Sequence, residues 1–180
     1  MKYNFQKYGQ YKNDIFNKLG FSFEKGKKIL DVGCGNGSDG EVFIQEFGLD
    51  TYGIDIYEHE NIHNVKGLKF KKAGIYQIPF PDNTFDYVFL HDVLHHIDEK
   101  HQSYNQHRKA LLEVKRVCKK GGNIIIIEGN RYNPLVPMDI SSFRASSLAL
   151  LMPEMAALGL SVKVLPSTIW IRKSFSRSLY

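Results

Sequence analysis

Lys28-Ile-Leu-Asp-Val-Gly-Cys-Gly-Asn-Gly37 is the stretch on which the reading of the whole chain turns. Ile29, Leu30 and Val32 form a short apolar run, and Gly33-Cys34-Gly35-Asn36-Gly37 follows it. Ser38 and Glu41 come next at the spacing of a helix capping box. The order predicts a buried strand, a tight turn and a helix start. Gly33 and Gly35 carry no Cβ, so a ligand can lie against bare main chain there. The free N–H groups that open the helix favour an anionic group such as a carboxylate or phosphate. A turn that needs glycine only for its dihedrals would read the same way. Asp31 at the strand end and Asp55 further along tip the balance towards a nucleotide-like ligand.

Working outward, Tyr8, Tyr11, Ile15, Phe16 and Leu19 recur near helical spacing before Gly20. They predict a leading amphipathic helix over residues 3–19, its apolar side packed on the domain. A second helix is predicted over 39–47, with Val42, Phe43, Ile44 and Phe47 buried. Strands follow at Thr51–Ile56, Leu68–Lys72 and Phe85–Leu90. The last is almost wholly apolar, as a strand covered on both faces should be. Asn105–Lys119 reads as a helix stopped by Gly121-Gly122, and Asn123–Glu128 as a fifth strand. Strands alternating with helices imply parallel pairing through right-handed crossovers. The fold class is therefore α/β, a Rossmann-like doubly wound sheet. Ligands in such sheets bind beyond the C-terminal strand ends. Asp31, Asp55, Gly74 and His91 fall at or just past those ends and are expected to share one crevice. Beyond Pro134 the pattern weakens. A helical stretch over Ser141–Leu158 is interrupted by Pro153, and Leu160–Leu165 and Thr168–Ile171 suggest two short strands.

At 180 residues the chain suits one domain with a sizeable core. Its 43% apolar and 24% charged residues are ordinary for a soluble protein. The net charge of +5 is scattered over the lysines, which points to a solvated surface rather than a nucleic-acid partner. No apolar run approaches the roughly 18 residues of a membrane span. The opening Met1–Lys7 is too polar for a signal peptide. Two cysteines, Cys34 and Cys118, make no disulfide framework, so a reducing cytoplasm is the expected location.

Four further stretches complete a pattern: Gly53-Ile-Asp-Ile56, Ile78-Pro-Phe-Pro-Asp-Asn-Thr-Phe-Asp-Tyr-Val88, His91-Asp-Val-Leu-His-His-Ile97 and Lys119-Lys-Gly-Gly-Asn-Ile-Ile125. With the opening stretch, in this order, they resemble the class I S-adenosylmethionine-dependent methyltransferases from about residue 8 to 133. The resemblance implies a single domain, with a leading helix and connector over 1–27 and a cofactor-binding core over 28–133; the acceptor-side region over 134–180 departs from the family as divergent or shortened, with an abbreviated last strand pair. It implies that Gly33, Cys34, Gly35 and Asn36 face the methionine part of S-adenosyl-L-methionine, with Asp31 near its amino group. Asp55 would accept from both ribose hydroxyls, for which a carboxylate has two acceptor oxygens and no competing donor. Ile56 and Ile75 would sandwich the adenine. An acidic residue usual in the family just before Ile75 is replaced by Gly74.

The reaction implied is methyl transfer to an O, N or C atom of a small-molecule acceptor, by a monomer or homodimer. The resemblance also implies that His91 sits close to the sulfonium and the acceptor; His91, His95 and His96 are the candidate general bases, since imidazole titrates near neutral pH. Adjacent helical residues diverge, so His95 and His96 are not expected to face the pocket together. His59-Glu-Asn-Ile-His63 matches a zinc-protease pattern, but lacks a third ligand and a helical setting, and no metal is expected. His95, His96, Asp98 and His101 are too irregularly spaced to change that. A nicotinamide-dependent oxidoreductase is the alternative enzyme, but its G-x-G-x-x-G turn would need glycine where Ser38 stands. A cofactor-binding module without turnover is the non-enzymatic alternative.

Overall fold

A computed structural model describes residues 5–18, 21–97, 104–129, 160–165 and 168–173. Helix α1 spans Phe5–Lys18, α2 spans Ser38–Gln45 and α3 spans Tyr104–Val117. The strands are β1 Lys28–Val32, β2 Asp50–Asp55, β3 Lys69–Lys72, β4 Phe85–His91, β5 Cys118–Gly129, β6 Leu160–Leu165 and β7 Thr168–Lys173. They form one seven-stranded sheet in the order β3-β2-β1-β4-β5-β7-β6. The first five pair in parallel, and β7 lies antiparallel to both β5 and β6. The two late strands expected from the weak C-terminal pattern thus complete the sheet. The expected helix over Ser141–Leu158 lies outside the described residues.

Strand alternation splits the core into two layers. On one face Leu30, Val32, Val88, Leu90, Ile124 and Ile126 meet Ala110, Leu111, Val114 and Val117 of α3. On the other, Ile29, Phe89, Ile125 and Ile127 meet Phe16 of α1 and Phe43 of α2. Phe16 packs edge-on to Phe23 and Phe47, with ring centroids 4.8 and 5.7 Å away. Tyr11, counted above with the apolar side of α1, is 49% exposed instead.

Two local expectations are corrected. Ser38 does not cap α2: Gly37 occupies the cap position in a left-handed conformation (φ 82°), and no side chain caps the helix there. Asn36 Oδ1 instead accepts from the Ser38 amide (3.1 Å) and hydroxyl (2.8 Å), which spends that hydroxyl within the turn. Nor do Gly121 and Gly122 merely stop α3. The helix ends at Val117, and β5 begins at once with Cys118 opposite Phe85. Asn123 then pairs with Tyr87, so Lys119–Gly122 form a bulge. A Cβ at Gly122 would lie 2.8 Å from the Asp86 carbonyl oxygen, which explains the glycine.

Candidate active site

The turn after β1 is pinned from behind. The amides of Gly33 and Cys34 both donate to the Ile54 carbonyl, at 2.8 and 3.1 Å. Gly33 has φ 74°, and a Cβ there would stand 2.6 Å from Val93 Cγ2. Its glycine is therefore demanded by dihedral and by packing, not only by room for a ligand. At Gly35 (φ 51°) an added Cβ would meet nothing within 4 Å, so this part of the turn does offer open main chain.

Asp55 ends β2 facing that turn. Its Oδ2 accepts from the Gly35 amide and its Oδ1 from the Tyr57 amide, both at 2.9 Å. Each carboxylate oxygen has two acceptor directions, so one remains on each for a pair of hydroxyls. The Asp55 carbonyl accepts from the Ala73 amide at 2.9 Å, tying the next wall of the cleft to the same residue.

A cleft of about 610 Å³ opens here, lined by Gly33, Asp55, Ile56, Gly74, Ile75 and His96 among others. That volume falls in the range of small-molecule sites. Ile56 is 59% exposed and Tyr57 75%, a large apolar surface left bare beside a carboxylate. Tyr57, Tyr76, Asp92 and Val93 also line the cleft and were not among the residues expected there. Tyr57 and Tyr76 each follow an expected wall residue, Ile56 and Ile75, and that adjacency was the available signal.

Other expected residues stand behind or beside the cleft. Asp31 is 1% exposed, held in β1 between Gly53 and Phe89 of the neighbouring strands. Alternation puts Asp31 on the same covered face of the sheet as Ile29, and it does not line the cleft. Cys34 is buried as well. Burial first, and then the carboxylates of Asp31 and Asp55, push its thiol far above the ordinary range, so it stays protonated and unreactive. Asn36 acts through its main chain and the Ser38 contacts, its carbonyl accepting from Asn61 Nδ2 at 3.1 Å.

The three histidines part company. His91 Nδ1 lies 2.9 Å from Asp39 Oδ2, and its Nε2 lies 3.6 Å from Asp92 Oδ2. Asp92 itself takes φ 54°, uncommon for a residue other than glycine, next to the cleft wall. His95 and His96 sit on a 3₁₀ turn, not a helix, with ring centroids 4.0 Å apart. His96 lines the cleft. Nothing in the sequence tied Asp39 to His91 across 52 residues.

The zinc-like pattern has no helix beneath it: only Ile62–Asn64 form a 3₁₀ turn, and His63 Nε2 is 2.6 Å from Glu58 Oε1. Among the described residues no three His, Cys, Asp or Glu side chains group as metal ligands. Asp98 and His101 lie outside those residues.

The family described as "Methyltransferase domain" matches residues 30–126, more than half of the chain. The chain belongs to the class I S-adenosylmethionine-dependent methyltransferase family. Its cofactor is S-adenosyl-L-methionine. Among curated methyltransferases, phosphoethanolamine N-methyltransferase 2 of Caenorhabditis elegans is 33% identical over 122 residues, covering 62% of this chain and 26% of that one. Demethylmenaquinone methyltransferase of Geobacillus stearothermophilus is 29% identical over 137 residues, covering 69% of this chain and 54% of that one. The chain thus spans about half or less of the length of these relatives. A SAM-dependent methyltransferase of Aquifex aeolicus shares the fold, with a TM-score of 0.64 at 19% identity over 95% of this chain and 98% of that one. Family membership does not favour the oxidoreductase alternative, in line with the glycine spacing.

The residues present fit this methyltransferase cofactor. Asp55 keeps an acceptor direction free on each oxygen, as a ribose diol would need, and Ile56 and Ile75 line the cleft with apolar surface that a flat base would need. Gly74, in the same wall, has no side chain that would accept from an adenine amino group. A Cβ at Gly74 would lie 3.4 Å from Ile56 Cγ2, close enough to need only a small shift. Gly74→Asp is therefore expected to tighten S-adenosyl-L-homocysteine about three- to tenfold, since one hydrogen bond is worth about 1 kcal/mol. Titration calorimetry reads this directly, and weaker binding would place the adenine edge elsewhere.

Proposed function

We propose that the chain transfers a methyl group from S-adenosyl-L-methionine to an O, N or C atom of a small-molecule acceptor. The observation that carries this reading is Asp55, whose two oxygens are fixed by the Gly35 and Tyr57 amides while facing a cleft of nucleoside size. When bound, the cofactor supplies an electrophilic methyl group and needs no activation by the protein. The protein's part is to hold two partners in line and keep water out. Gly33, Gly35 and Asn36 would border the amino-acid end, with Asp31 buried behind them. Ile56 and Ile75 would cover the base.

His91 ends β4 just before Asp92 and Val93 of the cleft wall, with its Nδ1 2.9 Å from Asp39 Oδ2. With Nδ1–H donated to Asp39, Nε2 is the ring atom that would take a proton from the acceptor. The relatives named for phosphoethanolamine and demethylmenaquinone act on chemically different acceptors, and this chain's acceptor is read no more finely than a small molecule. His91→Ala is expected to lower kcat about a hundredfold, in the usual range for a general base. Its affinity for S-adenosyl-L-homocysteine should stay within about twofold, because a base that acts on the acceptor adds little to cofactor binding. Equal losses in both would move His91 from chemistry to packing.

The direct test is calorimetry of the unaltered chain with S-adenosyl-L-methionine, S-adenosyl-L-homocysteine and NAD. Micromolar binding of the adenosyl ligands, with little for NAD, is the expected result. Transfer of label from methyl-labelled cofactor is then read against small amines, phenols and carboxylic acids. Tighter binding of NAD would overturn the proposal.

A further inference from the structure

Arg116 lies on α3, outside the cleft, and three of its side-chain hydrogen bonds reach one loop, Ile78–Asp82. Its Nε and one terminal nitrogen grip Glu113 at 2.9 and 2.8 Å, a two-pronged pair. The same terminal nitrogen donates to the Ile78 carbonyl at 2.9 Å. The other donates to the Phe80 carbonyl at 2.8 Å and to Asp82 Oδ1 at 2.9 Å. Glu113 Oε2 in turn accepts from the Ile78 amide at 3.0 Å. Five guanidinium N–H groups thus serve five contacts, and Ile78 is held at both its N–H and its C=O.

This grip matters because of what lies just before it. The cleft wall Gly74–Tyr76 runs between two fixed points. One is the Ala73 amide on the Asp55 carbonyl; the other is Ile78, whose side chain is also buried in the core. Between them a backbone bond from the Gln77 amide to the Gly74 carbonyl, long at 3.3 Å, closes the turn. Hydrogen bonding to Arg116, against a smaller burial cost and helped by the Ile78 amide, holds the Glu113 carboxyl below its usual range. The pair is therefore charged at neutral pH, and its hold is lost only as pH falls through that lowered value.

We infer that the Arg116–Glu113 pair is the positioning device for the base-binding wall of the cleft, setting cofactor affinity from outside the site. The inference rests on the cofactor reading above. A lysine would keep the charge but, as a single-point donor, could not span Glu113, two carbonyls and Asp82 together. If release leaves the wall competent about a tenth of the time, apparent affinity falls about tenfold.

The test uses Arg116→Lys and the milder Glu113→Gln, with S-adenosyl-L-homocysteine as the probe. Three quantities are read: calorimetric affinity, the KM against kcat split for S-adenosyl-L-methionine, and amide exchange without ligand. Expected are a Kd and KM raised about tenfold, kcat nearly unchanged at saturation, and faster exchange confined to residues 74–80. Charge alone would be the agent if Arg116→Lys bound as well as the unaltered chain, and the inference would then fail. It also fails if exchange rises evenly over the whole sheet. Should Arg116→Lys not fold, Glu113→Gln carries the same outcomes with the arginine in place. If the unaltered chain binds no adenosyl ligand, the proposed function falls, while exchange at 74–80 still reads the clamp.

Discussion

Asp55→Ala should cost about a hundredfold or more in affinity for S-adenosyl-L-homocysteine, the largest loss expected from any single change at the cleft. Two hydrogen bonds to a charged acceptor disappear, each worth about 1.5–3 kcal/mol, and a loss of about 3 kcal/mol already gives a hundredfold. The amides of Gly35 and Tyr57 lose their partner as well, so the glycine turn loosens beside the vacated position. Asp55→Asn keeps an acceptor oxygen but not the charge and should fall between, at about tenfold. Calorimetry on both variants, with thermal unfolding as a control for folding, separates lost contacts from lost structure. Binding by Asp55→Ala within about threefold of the unaltered chain would remove the central support for the proposed function.

The second large effect is on stability. Gly33→Ala forces a side chain into a left-handed conformation, at about 1–2 kcal/mol. It also drives the new methyl to 2.6 Å from Val93 Cγ2, an overpacking cost of about 1–3 kcal/mol. Together these suggest about 3 kcal/mol, or a fall of about 10 °C in the unfolding midpoint for a domain of this size. Adding Val93→Ala to Gly33→Ala should recover part of the packing cost and none of the dihedral cost. The double variant will therefore be less damaged than the sum of the two singles. Gly35→Ala, with open space in the same direction, should lose only the dihedral part. If Gly33→Ala and Gly35→Ala melt alike, Val93 is not the reason for the glycine.

Much of this was legible in the sequence, for a definite reason. β1, β2 and β4 are read from apolar runs because their surroundings are simple, a strand on either side and a layer above and below. Asp55 and Ile56 were readable because one ends such a strand and the other follows it directly. The failures share a different cause. The start of β5 at Cys118 depends on Phe85, far off in sequence, and Lys-Lys-Gly-Gly by itself looks only like a helix stop. The packing reason for Gly33 is Val93, 60 residues away. The Asp39–His91 contact and the grip of Arg116 on Ile78 join a helix to a distant strand end or loop. Nothing in local periodicity encodes such pairs. The late strands were the intermediate case: their apolar alternation was visible, but their place next to β5 was not.

β3 closes one side of the sheet with Lys69, Lys71 and Lys72 outermost and exposed. Lys69 is neutralised by Asp50 at 2.6 Å, while Lys71 rests its ammonium 4.6 Å from the centre of the Phe80 ring. A second molecule approaching this border to extend the ladder would bring its own lysines against these. Crowded like charges repel, and an unpaired border so guarded resists fibril-like stacking. Self-association, where it occurs, is therefore expected through a different surface.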